Sequence, residues 1–204
     1  MKNKAQEALK RLKDGNASFV ESARADRPLT THTTLADLNR AQDPIAIVLG
    51  CSDARVPAEL VFDQGLGDLF VIRVAGNIVA PSQVGSVEFA AAKFGTPLVV
   101  VLGHSGCGAI AATLEELRRP SDKQSPNLRS IVDRVRPSVL NLLESDPHIS
   151  QQALAEKAIR QNVRASVLHL RHGSEILEDL VEKSGLLIVG AEYSLQTGAV
   201  DFFE

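Results

Sequence analysis

Four short apolar runs organise the chain. Ile45 to Gly50, Leu69 to Val74, Pro97 to Gly103 and Leu186 to Gly190 are each about as long as a strand and nearly free of polar residues. Strands in a parallel sheet read this way, because helices cover both of its faces. Between these runs the apolar positions recur at intervals of three and four. That spacing predicts helices over 5–20, 84–94, from near Cys107 to before Pro120, 128–143 and 150–183. Gly15 is expected to weaken or break the first of them. Thr197 to Phe203 is a candidate edge strand, and Arg27 to Pro44, rich in Thr, Asp and Pro, reads as a connecting segment. Buried strands separated by helices imply an α/β fold: a single domain with a mainly parallel β-sheet flanked by helices. No linker divides the 204 residues, which are read as an N-terminal helical arm over 1–40 and an α/β core over 41–204.

Composition narrows the function. The chain is 44% hydrophobic and 23% charged, as expected of an ordinary globular protein. A net charge of −3 and 4% aromatic residues leave neither a basic field nor stacking platforms, so nucleic acid is excluded as a partner. The apolar runs fall far short of the roughly 20 residues of a membrane helix. Met1 to Glu7 leads into alternating charges with no apolar stretch, so no signal peptide is expected and the location is read as cytoplasmic. Two cysteines are too few for a disulfide scaffold. Cys51 and Cys107 therefore need another explanation.

An internal echo supplies one. Ile45 to Ser52 and Leu98 to Ser105 both run from an apolar strand into Leu-Gly, then a potential metal ligand, then Ser. If these strands are parallel neighbours, Cys51 and His104 emerge side by side at the carboxyl edge of the sheet, where open α/β proteins hold their ligands. Cys107, three residues past His104, can close on the same point. Two thiolates and one imidazole make a three-ligand zinc site, and the missing fourth protein ligand speaks for catalysis over a structural role. The other readings are two buried cysteines acting as small hydrophobes, or a nucleophilic Cys–His pair. Asp53 and Arg55 lie in the turn after Cys51, where the carboxylate can bind the ion, hydrogen-bond its water or pair with the arginine. His32, His148, His169 and His172 show no ligand spacing, and 155–182 reads as a solvated helix face.

With these motifs in hand, the sequence resembles the β-class carbonic anhydrases. The resemblance rests on Cys51-Ser52-Asp53-Ala54-Arg55 and His104-Ser105-Gly106-Cys107-Gly108, and extends through Gln42-Asp43-Pro44, Phe70 to Asn77, Gly85 to Phe89 and Val189 to Tyr193. It implies reversible hydration of CO2 to bicarbonate by attack of zinc-bound hydroxide, with one Zn2+ on Cys51, His104 and Cys107. Asp53 would take a hydrogen bond from the hydroxide or, in a closed state, become the fourth ligand, while Arg55 would hold Asp53 off the metal. Gln42 matches a substrate-orienting amide, Phe70 and Phe89 match apolar walls of the CO2 pocket, and the Gly108 N–H suits an anionic product. Also implied is a homo-oligomer, a dimer or a multiple of dimers, with N-terminal helices packing on the partner subunit. Leu9, Leu12 and Phe19 then serve either that interface or their own subunit's core. Phe89 stands where many plant-type members have tyrosine. Val48 replaces a tryptophan that, with an arginine and a tyrosine matched by Arg73 and Tyr193, binds regulatory bicarbonate in some bacterial members. Such regulation is therefore not expected. The alternatives are a hydrolase of CS2 or carbonyl sulfide on the same zinc site, and a non-catalytic bicarbonate-binding zinc protein.

Overall fold

The computed structural model describes residues 2–25, 27, 41–120 and 125–203. Most of the connecting segment before Pro44, with His32, lies outside these residues. Among the described residues, five strands form one sheet: β1 (Ala46–Gly50), β2 (Leu69–Arg73), β3 (Leu98–His104), β4 (Leu187–Tyr193) and β5 (Val200–Phe203). Their order is β2-β1-β3-β4-β5, with the first four parallel and β5 antiparallel to β4. The parallel sheet, its apolar strands and the edge strand agree with the hydrophobic pattern.

Alternation along β3 divides the core in two. Leu98, Val100 and Leu102 face one side, with Ala46 and Val48, beneath α1 (Lys2–Arg24) and α2 (Ala58–Val61). Val99 and Val101 face the other, with Ile47 and Leu49, beneath α3 (Pro81–Phe94), α6 (Gln151–His172) and α7 (Glu175–Asp179). Beyond the carboxyl ends of the strands, α4 (Gly108–Arg118) and α5 (Pro126–Ser145) meet α6 around a third cluster that contains Cys51 and Cys107.

Two expectations change. The first helix runs unbroken through Gly15, because a close approach requires glycine there. A Cβ at that position would stand 1.9 Å from the Phe62 carbonyl oxygen. The next residue, Asn16, is buried and donates to the carbonyls of Val61 and Gly198 while accepting from the Val200 N–H. Leu12 and Phe19 are buried against this chain's own sheet, so these two side chains serve its own core. Residues 150–183 are not one helix: α6 ends at His172, with Gly173 as its C-cap, and Ser174 caps α7 by accepting from the Leu177 N–H.

Candidate metal centre

Parallel pairing brings the centre together. Gly50 of β1 lies beside Leu102 of β3, so Cys51 leaves the sheet close to His104, the last residue of β3. A sharp turn then brings Cys107 back as the residue preceding α4. Among the described residues, the ligand atoms of Cys51, His104 and Cys107 all lie within 4.8 Å of one another, and all three side chains are buried.

The donor set fits a soft divalent ion. His104 is fully buried, and its Nε2 has no hydrogen-bond partner among the described residues. Its Nδ1 lies 3.0 Å from the Ser105 carbonyl oxygen. A proton on Nδ1 satisfies that carbonyl and leaves the Nε2 lone pair aimed at the sulfurs, as a metal-bound histidine needs. Leaving a buried acceptor unsatisfied costs about 1–3 kcal/mol, which a metal bond offsets. Cys51 is held below the usual thiol range, first by a hydrogen bond from the Cys107 thiol, with the Gly76 N–H also donating to its sulfur. Cys107 is pushed up by its bond with Cys51 and by burial.

Asp53 and Arg55 form a two-pronged pair beside these donors. Arg55 Nε and Nη2 donate to the two carboxylate oxygens at 2.9 and 2.7 Å, and the Arg55 backbone N–H donates at 3.0 Å. This guanidinium holds the Asp53 carboxyl well below the usual carboxylate range. The Asp53 Oδ2 nevertheless stands only 3.9 Å from His104 Nε2. Gly108, the first residue of α4, is exposed, with no atom of the described residues within 4 Å of where a Cβ would be.

The structure does not unite every residue singled out from the sequence. Gln42 is exposed and precedes β1, at the opposite end of the sheet from Cys51. Phe70 pairs with Ile47, three positions before the end of β2. Its ring joins those of Phe89 and Phe94, with centroids 6.3 and 6.2 Å away, and Phe89 is 52% exposed on α3. None of these three belongs to the cluster around Cys51 in this chain.

Other residues hold the turns that carry the candidate ligands without having been marked as site residues. Arg73, at the end of β2, donates through Nε to the Cys51 carbonyl at 3.0 Å and through Nη2 to the Asp53 carbonyl. It thus fastens the turn carrying Cys51 and Asp53. Ser105 donates its backbone N–H to the Tyr193 carbonyl, and its hydroxyl oxygen accepts from the Leu195 N–H. Asn162 and Ser166 of α6 are buried and donate to the carbonyls of Gly76 and Asn77. A signal for these two was available: they continue from Ala158 at intervals of four through an apolar stripe.

Comparisons with known proteins agree with this geometry. A family model described as carbonic anhydrase matches residues 46–200. The chain is 41% identical over 197 residues to a carbonic anhydrase of Mycolicibacterium smegmatis, spanning 95% of this chain and 91% of that protein. In fold it is similar to the β-carbonic anhydrase CafA of Aspergillus fumigatus, with a TM-score of 0.75, 23% identity and coverage of 98% and 90% of the two chains. It is also similar to one of two tetrameric β-carbonic anhydrases of Sordaria macrospora, with a TM-score of 0.73, 22% identity and coverage of 93% of each chain.

Proposed function

The chain belongs to the carbonic anhydrase family, in its β class, and we propose that it catalyses the zinc-dependent, reversible hydration of carbon dioxide to bicarbonate and a proton. The observation that carries this reading is the buried Cys51–His104–Cys107 donor set beside a carboxylate that Arg55 holds through both oxygens. When bound, zinc supplies a Lewis acid that brings the acidity of water toward neutral pH, less strongly with two thiolates than with three neutral imidazoles.

The protein residues supply orientation and charge. Asp53, kept ionised by Arg55, acts as a hydrogen-bond acceptor and fixes the direction of the attacking water's O–H. Its short distance to His104 Nε2 means that release from Arg55 would let it compete for the ion, so the pair governs open and closed states. The Gly108 N–H sits at the positive end of the α4 dipole, suited to the anionic product. Gln42, Phe70 and Phe89 are assigned to the CO2 pocket of a second copy, because they lie away from this chain's own donors and Phe89 is exposed. The assembly is then a dimer or a multiple of dimers, in keeping with the tetrameric relatives. Two free thiols at the centre suit a reducing cytoplasm.

Stopped-flow CO2 hydration, run with zinc content measured on the same sample, tests the assignment. One zinc per chain and a rate far above buffer are expected. Full zinc occupancy without CO2 turnover overturns the reading, as does turnover of carbon disulfide or carbonyl sulfide in its place.

A further inference from the structure

The ligand Cys51 has a hydrogen-bond partner built by distant parts of the chain. The Gly76 N–H points at Cys51 Sγ, 3.3 Å away. Gly76 lies in a tight corner, Ala75–Asn77, between β2 and α3, and takes a positive φ of 70°. Asn77 follows with a positive φ of 43°, a conformation that costs a non-glycine residue about 1–2 kcal/mol. Space reinforces the need for glycine, since a Cβ at Gly76 would sit 3.0 Å from Ala109 Cβ, two residues beyond Cys107. The corner is wedged between one thiol ligand and the helix that follows the other.

Something must hold two consecutive left-handed residues in place. Helix α6 does so from the far side. Asn162 Nδ2 donates to the Gly76 carbonyl at 2.8 Å, and Ser166 Oγ donates to the Asn77 carbonyl at 3.0 Å. Both side chains are buried, at 2% and 5% exposure, within an otherwise apolar stripe where an unpaired polar group would be costly. An apolar residue at either position would leave a buried carbonyl without this donor. Stabilising the helix alone gives no reason for a polar side chain here; stabilising the corner does.

We propose that Asn162 and Ser166 are positioning residues for the metal centre, acting through the Gly76 N–H on the Cys51 sulfur. They fix the corner so that the amide stays aimed at Sγ. The amide in turn holds the sulfur in place and withdraws electron density from it, as hydrogen bonds around a metal site do. This inference rests on the zinc reading of Cys51, His104 and Cys107.

The test compares wild type with Asn162→Leu, Ser166→Ala and Ser166→Thr. Thr96→Val, at a buried hydroxyl before β3 at the opposite end of the sheet, serves as the control. Zinc affinity is measured by chelator competition, and the thiolate-to-cobalt charge-transfer band is recorded on the Co2+-loaded proteins. Asn162→Leu and Ser166→Ala are expected to weaken zinc binding about 10- to 100-fold. They should also move the band to lower energy, because a sulfur without its N–H donor gives up electron density more readily. Ser166→Thr, which keeps the hydroxyl, and Thr96→Val should match wild type in both measurements. Folded Asn162→Leu or Ser166→Ala protein with wild-type affinity and an unmoved band overturns the proposal. If Asn162→Leu does not fold, the milder Ser166→Ala decides alone. A wild-type chain that binds neither ion fails at the earlier step and overturns the metal reading itself.

Discussion

Asp53 and Arg55 form one side-chain pair beside the candidate metal centre, and the proposed chemistry turns on it. A pKa held below the usual carboxylate range means that the ionised form is favoured by folding. The associated stabilisation is complete above the ordinary carboxylate pKa of about 3.9 and is lost as pH falls through the lower folded value. Asp53 therefore does not titrate between pH 6 and 9. A rise in CO2 hydration over that interval is expected from the acidity of the water at the metal, and a flat profile would contradict the mechanism. Replacing the acceptor, Asp53→Asn, should lower kcat by about 10²-fold or more while zinc content stays at one per chain. Arg55→Met should also depress turnover, by freeing the carboxylate to compete for the ion. Activity and zinc content measured together separate these effects from simple metal loss. At this scale the motif residues were legible because ligand chemistry is written in residue type. Arg73 was legible only as a match to a regulatory site, and its hydrogen bonds to the Cys51 and Asp53 carbonyls depend on a strand pairing that no local spacing reveals.

Helix α1 illustrates how an element can contradict its own propensities. Glycine is about 1 kcal/mol less favourable than alanine inside a helix, which is why Gly15 predicts a break. The Phe62 carbonyl, packed against that position, reverses the balance. Gly15→Ala should destabilise the protein by about 1–3 kcal/mol in chemical denaturation, the cost of overpacking exceeding the propensity gain. A variant as stable as the parent would mean that α1 shifts freely on α2. The same lesson appears in α6, whose charged residues read as a solvated face. One side of this helix is buried, and Asn162 and Ser166 lie within its apolar stripe.

At the scale of the whole molecule, the sheet places the three donors together and leaves Gln42, Phe70 and Phe89 elsewhere. If a second copy supplies those residues to each centre, Phe89→Lys should shift the protein toward monomer in sedimentation equilibrium. CO2 hydration should fall with it while each chain keeps its zinc; an intact, active oligomer would remove Phe89 from the pocket. The amino-acid sequence by itself determined the α/β class, the sheet and the three residues, Cys51, His104 and Cys107, that the fold brings together as a candidate metal centre. Apolar runs, their periodicity and ligand chemistry are local properties that survive in a one-dimensional string. Only the tertiary structure decided the unbroken path of α1, the burial of Leu12 and Phe19 within their own subunit, and the hydrogen bonds from Gly76 to Cys51 and from Asn162 and Ser166 to the carbonyls of Gly76 and Asn77. Those outcomes depend on which distant backbone groups come within a few ångströms. Such distances are set by the packing of whole elements, so the same residue types at the same spacing can serve different ends in another fold.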